Sequence, residues 1–238
     1  MIRNLLFNSR PLVVHAQGSH ELKPHWRPIR DAFFSAPSRH LTAPKDLTII
    51  TCNNGHEAMG ILERSLAHLG LSCLVRGQGI HPWINSQHKP QVLAEALREI
   101  QTPYTLYADS RDAILLDDPS VLVQRFEQSF KAELVFGADR MSWPPIREFK
   151  KFEDALPEAG DSEFRYLNGG AWIGRTEFCR EFFEEAARTP PLPEVPDSEQ
   201  GILRKLFMHH HPRVQLDYRC ELFMNIGFVL APIIALEE

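Results

Sequence analysis

From Leu47 onward, apolar runs of strand length alternate with segments of helical period. That alternation confines the chain to an α/β fold with a mostly parallel central sheet flanked by helices. LTIIT, from Leu47, reads as a buried strand running into the turn Cys52-Asn53-Asn54-Gly55, with a helix to about Leu69 and the strand LSCLVRG after it. Residues 77–89 have turn chemistry and no period, which predicts a loop long enough to cover a site. PQVLAEALREI reads as a helix with Pro90 in its first helical position. The strand YTLYAD then delivers Asp109 to its C-terminal end, the edge at which open α/β sheets bind ligands.

The same alternation continues with a helix around Val121 to Phe130, the strand ELVFGA and a long polar loop from Asp139 to about Glu163. RYLNGGAWIG reads as a strand interrupted by Gly169 and Gly170, a sign that ligand or another chain segment approaches the backbone closely. Helices are expected near 176–187 and 198–208, and VQLD and FVLAPIIAL close the order. At 238 residues one large domain over 1–238 is expected.

Charge narrows the partners. A formal net charge of −5 and a pI near 6.1 argue against nucleic acid or an anionic membrane as partner, since both select a basic surface. An anionic ligand must therefore be gripped locally. Cys52, Cys73, Cys179 and Cys220 form no CxxC pair and read as reduced core residues. No run of 18 apolar residues and no signal peptide is evident, so no membrane span and a cytoplasmic location are expected.

The strongest chemical signal is Asp109-Ser110-Arg111-Asp112 at the end of an apolar strand. Two carboxylates three residues apart on one turn can face the same point, and they repel unless a metal cation, Arg111 or a shared proton intervenes. Oxygen ligands suit Mn²⁺ or Mg²⁺ with substrate phosphates completing the shell, whereas a solvated helix cap is the plain alternative. His15 ends the short apolar strand PLVVH and offers a neutral imidazole, Gly18 permits close backbone approach, and Lys23 supplies a point charge. His209-His210-His211 fits an exposed helix end better than a metal tract. Asp197 and Glu199 in PDSEQ fit either a helix N-terminus or catalytic, acceptor-binding carboxylates.

In combination these residues resemble the glycosyltransferase domain of the procollagen lysyl hydroxylases, from about Leu47 to Ile226. The family pattern ADSxD is here YADSRD, VVFSAE is LVFGAD, LNSGGFIG is YLNGGAWIG, DDQ is SEQ, and LDHRCRIFQNL is LDYRCELFMNI. The resemblance implies a GT-A-like fold, a divalent metal on Asp109 and Asp112, and a UDP-sugar donor seated by Thr51, Trp83 and Lys89. Asn168 and Gly169 match the LNSG turn, with glycine in place of its serine. Ser198 and Glu199 replace the DDQ aspartates, and Asp197 is a possible substitute for them.

The family's third metal ligand is the histidine of a later VVIHGNGPTK segment, and VVHAQG at Val13–Gly18 is similar to it. KPHW likewise resembles the lysine-containing stretch after the corresponding histidine in glycogenin-like transferases. The expectation is a circular permutation, with residues 1–46 carrying the HxxG motif and 47–238 forming the GT-A core. The implied reaction moves a hexose from a UDP-sugar to the hydroxyl of an unidentified acceptor, with retention of anomeric configuration suggested by resemblance. A metal-dependent nucleotidyltransferase or phosphohydrolase, and a non-catalytic nucleotide-sugar-binding domain, are the rival readings. No GxSxG elbow, P-loop or GxGxxG fingerprint occurs.

Overall fold

The computed structural model describes residues 2–18 and 22–237. A six-stranded sheet runs in the order β4 (Leu74–Arg76), β3 (Leu47–Cys52), β5 (Tyr104–Ala108), β8 (Tyr166–Arg175), β7 (Leu134–Asp139), β9 (Val214–Asp217). β4, β3 and β5 pair in parallel, as do β7 and β9, and β8 runs antiparallel between the two sets. Both faces are covered, so the strands are near-continuous apolar runs rather than alternating ones. β8 supplies Trp172 to one core and Ala171 and Ile173 to the other, the period-2 alternation of a pleated strand.

Trp172 is fully buried between Tyr107 and Phe183, with ring centroids 5.5 and 4.8 Å away. On its face pack α3 (Asn85–Glu99), α6 (Thr176–Arg188) and α7 (Glu199–His210) through Leu93, Leu97, Phe182 and Phe207. The opposite core holds Leu62 and Leu66 of α2 (Ile61–His68) and Leu122 and Phe126 of α4 (Pro119–Ser129). α4 starts as the sequence dictates, with Pro119 at the first position and Asp118 accepting Ser120 N–H at 2.8 Å.

A second sheet places the N-terminal segment. β2 (Val13–His15) lies between β10 (Phe223–Asn225), parallel to it, and β6 (Ala113–Leu115), antiparallel. β1 (Ile2–Asn4) pairs antiparallel with β11 (Ile234–Leu236), so the two ends of the described chain meet. α1 (Trp26–Ser35) buries Trp26 and Ile29 in the Trp172 core. No helix among the described residues is long and apolar enough to cross a membrane.

Several local expectations change. α3 begins at Asn85, which shortens the expected loop to 77–84 and puts Pro90 inside the helix, where it cannot donate to the Ser86 carbonyl. The polar stretch 139–163 contains α5 (Arg147–Asp154) and a short 3-10 turn at Pro157–Ala159. Of FVLAPIIAL, only Ile234–Leu236 is a strand. β8 is continuous but bulged: Phe136 pairs with Trp172 and Gly137 with Asn168, leaving 169–171 without partners on β7.

Candidate metal and nucleotide site

The bulge of β8, the end of β5 and the end of β2 converge on one point. Asp109 follows β5 directly, and its N–H donates to Gly170 O at 2.8 Å, anchoring the Asp109–Asp112 turn to the bulge. A Cβ on Gly170 would stand 2.0 Å from His15 Cε1, so only glycine leaves room for the imidazole. Gly169 is equally constrained, because a Cβ there would lie 2.4 Å from Leu203 of α7. Ala16 N–H donates to Asp112 O at 2.8 Å, which ties the residue after His15 to the same turn.

His15 Nε2 lies 3.4 Å from Asp109 Oδ2 and 3.4 Å from Asp112 Oδ1. One ligand atom from each of the three residues falls within 4.8 Å of the others. At a separation of no more than 4.8 Å the two carboxylates repel by roughly 3 kcal/mol or more at an effective dielectric near 20, so positive charge is required between or beside them. His15, Lys23 and Lys89 supply it. Lys23 Nζ is 3.5 Å from Asp112 Oδ2, and Lys89 Nζ donates to Asp109 Oδ1 at 2.9 Å and Glu199 Oε1 at 2.8 Å. Arg111 has no ion pair among the described residues and lines the neighbouring cavity.

The tautomer of His15 follows from its other neighbour. Asn225 Nδ2 donates to Ala138 O at 2.7 Å, which turns Oδ1 toward His15 Nδ1 at 2.8 Å. Nδ1 therefore carries a hydrogen, and Nε2 is the atom directed at the carboxylates. Burial alone would lower the His15 pKa, but Asp112 and Asp109 outweigh it and hold the group at about 10. Burial likewise acts against charge on Lys89 and Asp109, yet their mutual attraction holds Lys89 above its usual range and Asp109 well below the usual carboxylate range. Tyr107 donates its hydroxyl to Asp109 Oδ1 at 2.5 Å, and its own pKa is pushed up by burial and by that charge.

This donor set fits a divalent cation. One imidazole nitrogen and two carboxylate oxygens suit Mn²⁺ or Mg²⁺, and metal–oxygen distances of about 2.1 Å imply octahedral edges of about 3 Å, near the 3.4 Å from His15 Nε2 to each carboxylate oxygen.

Two cavities meet at Asp109 and Asp112. The first, about 840 Å³, is lined by Asn53, Asn54, Trp83, Asn85, Arg111 and Asp197 among others. The second, about 500 Å³, is lined by Asp139, Met141, Trp143, Asn168, Gln200 and Phe228 among others. Trp83 Nε1 donates to Asn85 Oδ1 at 2.6 Å, which fixes the ring against the first cavity.

The remaining expected residues divide between these spaces. Lys89 and Asp197 border the first cavity, and Gly18, Asn168 and Glu199 border the second. Thr51 borders neither: it is fully buried, and its hydroxyl donates to Ala108 O at 2.7 Å, so it braces β3 against β5 while Cys52 to Asn54 form the wall. Gly169 serves through its backbone, with N–H donating to Gln200 Oε1 at 2.9 Å and O accepting Lys89 Nζ at 3.4 Å. Gly18 has φ of +83°, which suits glycine, and the Phe228 ring packs over it. Of His209-His210-His211, His210 meets Glu185 at 2.7 Å, His211 packs against Phe152 and Phe207, and His209 is exposed.

Asp139, Gln17, Tyr107 and Asn225 were not singled out by sequence. Asp139 ends β7 as Asp109 follows β5, and that shared position at a strand terminus was the available signal. Its Oδ2 accepts Gln17 Nε2 at 2.8 Å and Asn168 Nδ2 at 3.0 Å, and burial raises its pKa.

A family model described as the PLOD GT domain matches residues 44–235. The chain belongs to this family. It is a PLOD-type glycosyltransferase domain, and its mixed α/β architecture is GT-A-like. Among curated proteins it is 27% identical over 133 residues to human procollagen-lysine,2-oxoglutarate 5-dioxygenase 1, covering 54% of this chain and 17% of that protein. The rat protein of that name is 26% identical over 153 residues, 61% of this chain and 20% of the relative. The procollagen-lysine,2-oxoglutarate 5-dioxygenase of Drosophila melanogaster is 28% identical over 141 residues, 55% of this chain and 18% of the relative. This PLOD-type domain thus aligns with about a fifth of the length of these relatives or less.

Proposed function

We propose that this domain transfers a hexose from a UDP-sugar to an acceptor hydroxyl, using Mn²⁺ or Mg²⁺ held by His15 Nε2 and one oxygen each of Asp109 and Asp112. The observation that carries the reading is the convergence of these three ligand atoms within 4.8 Å of one another, where two cavities join. A divalent cation bound there supplies Lewis-acid stabilisation of the departing diphosphate.

The larger cavity takes the nucleotide, with Trp83 and the Asn53–Asn54 loop at its wall and Arg111 free to meet phosphate. Lys89 adds fixed positive charge beside Asp109. Glu199, buried and bonded to Lys89, holds that lysine in place. The smaller cavity takes the hexose and the acceptor: Asp139, Asn168 and Gln200 offer polar groups, and Met141, Trp143 and Phe228 offer apolar surface. Transfer breaks the bond from the anomeric carbon to the diphosphate oxygen and forms one to the acceptor oxygen, whose proton is released. Asp197, exposed at the larger cavity, is free to serve at that junction.

We also read the chain as circularly permuted, with His15 supplied by the N-terminal segment. Support comes from the position of β2 beside β10, near the end of the family match, and from the pairing of β1 with β11.

The test is hydrolysis and transfer from a panel of nucleotide sugars with and without Mn²⁺. UDP with Mn²⁺ at about 100 times its Kd should stabilise the fold by about 2.7 kcal/mol. Asp112→Asn should cut metal-dependent turnover on the order of 10³-fold, the upper range for losing one electrostatic stabiliser, while leaving the fold intact. Unchanged turnover in that variant would refute the assignment.

A further inference from the structure

Glu63 is a buried carboxylate, 6% exposed, that the chemistry above does not use. It stands in the first turn of α2, three residues after the N-cap Gly60. A glutamate there ordinarily turns back to cap its own helix. Here the carboxylate lies beside Gly60 but meets side chains from two other segments. Ser110 Oγ lies 2.8 Å from Oε2 and 2.9 Å from Oε1, and Asn53 Nδ2 donates to Oε1 at 2.9 Å. No cation pairs with it among the described residues, so the helix N-terminus and these hydrogen bonds offset the cost of burying its charge.

Both partners belong to walls of the larger cavity. Ser110 lies between Asp109 and Asp112, and the same helix grips its backbone, since Leu62 N–H donates to Ser110 O at 3.0 Å. Gly60 approaches so closely that a Cβ would stand 2.1 Å from Ser110 Oγ. Asn53 opens the loop that follows β3, and its Oδ1 accepts Gly55 N–H at 2.9 Å. Glu63 therefore joins the cation turn to the nucleotide-side loop.

We infer that Glu63 is a positioning residue that fixes the Asp109–Asp112 turn and the Asn53–Asn54 loop relative to each other, so that a divalent cation and a nucleoside diphosphate meet a preformed site. The inference rests on the metal-dependent reading above. Its negative charge behind the turn also favours a cation in front of it.

The experiment compares the full chain with Glu63→Ala, Glu63→Gln and Ser110→Ala, titrating Mn²⁺ with and without UDP and following amide hydrogen exchange. Glu63→Ala should weaken Mn²⁺ binding about tenfold or more, as loss of an outer support of a metal site does. Exchange should accelerate in residues 53–57 and 109–112 together. Glu63→Gln keeps an acceptor for Ser110 and Asn53 and should stay within about threefold of wild type. The Glu63→Ala/Ser110→Ala double variant should be no weaker than Glu63→Ala alone, because both remove one link. Wild-type Mn²⁺ affinity and wild-type exchange in Glu63→Ala would overturn the inference. Should that variant not fold, Ser110→Ala decides, with wild-type affinity counting against the link. A wild-type chain that binds no Mn²⁺ even with UDP sinks the metal reading instead, and the exchange data then decide the role of Glu63: faster exchange of both segments upholds it and unchanged exchange removes it.

Discussion

Two buried charge clusters in this molecule have opposite characters. Arg204 and Glu153 are each 1% exposed and pair with each other. The Arg204 guanidinium donates to Glu153, to Pro144 O and to Ser142 Oγ, and Glu153 also accepts Leu167 N–H at 3.0 Å. One positive charge meets one negative charge, and neither borders the cavities of the site. At the candidate cation site Asp109 and Asp112 remain 30% and 27% exposed and line two cavities while pairing with His15, Lys23 and Lys89. The first cluster uses its charge to pin α7 to α5; the second keeps part of its charge available to a ligand. Burial of charge alone does not mark a site, but burial that stops at a cavity wall does.

Removing one partner from each cluster should separate them. Arg204→Met leaves Glu153 buried without its cation and should cost about 3–5 kcal/mol, several times the effect of an exposed pair. At roughly 2–4 °C per kcal/mol for a chain of this size, calorimetry should show a Tm drop on the order of 10 °C, part of which Glu153→Gln in the same chain should restore. A Tm within a degree of wild type would show that the closed cluster is not structural.

The open cluster should respond to pH through its ligand. Cation binding needs Nε2 of His15 unprotonated, and the group is held at about 10, so below that pH each cation bound must displace a proton. Mn²⁺ affinity should therefore rise as pH rises, by up to about tenfold per unit, and level off above about pH 10. Titration calorimetry in buffers of different ionisation enthalpy should register close to one proton released per cation at pH 7; no release would mean that His15 is not a ligand. A smaller effect is expected from Asn225→Ala, which frees the imidazole to change tautomer. About tenfold weaker Mn²⁺ binding is expected, with Tm affected far less than by Arg204→Met. Equal losses of Tm in the two variants would erase the distinction between the clusters.

The legible parts of this chain are those written in local sequence. The strand YTLYA and the carboxylates after it are contiguous, and an apolar run that ends in DSRD states both the element and its exit point. α5 was hidden because REFKKFED presents only Phe149 and Phe152 among charges, too few apolar positions to outline a period. Asn225 could not be read as the partner of His15, since 210 residues separate them and nothing near either one encodes the pairing. The direction of the Thr51 side chain is not written locally, because a residue at a strand end can face either the ligand or the neighbouring strand, and register alone decides which. Glu63 sat where a helix cap would explain it fully, and only the approach of Ser110 reveals its other use.

The place of β2 between β6 and β10 has a consequence for how the protein is made. His15 is synthesised 210 residues ahead of Asn225, the amide that orients its ring, and Asn225 belongs to β10, one of the two strands that flank β2. The imidazole can be fixed in place only once β10 has emerged, so a chain cut short of that strand should leave His15 without its orienting partner.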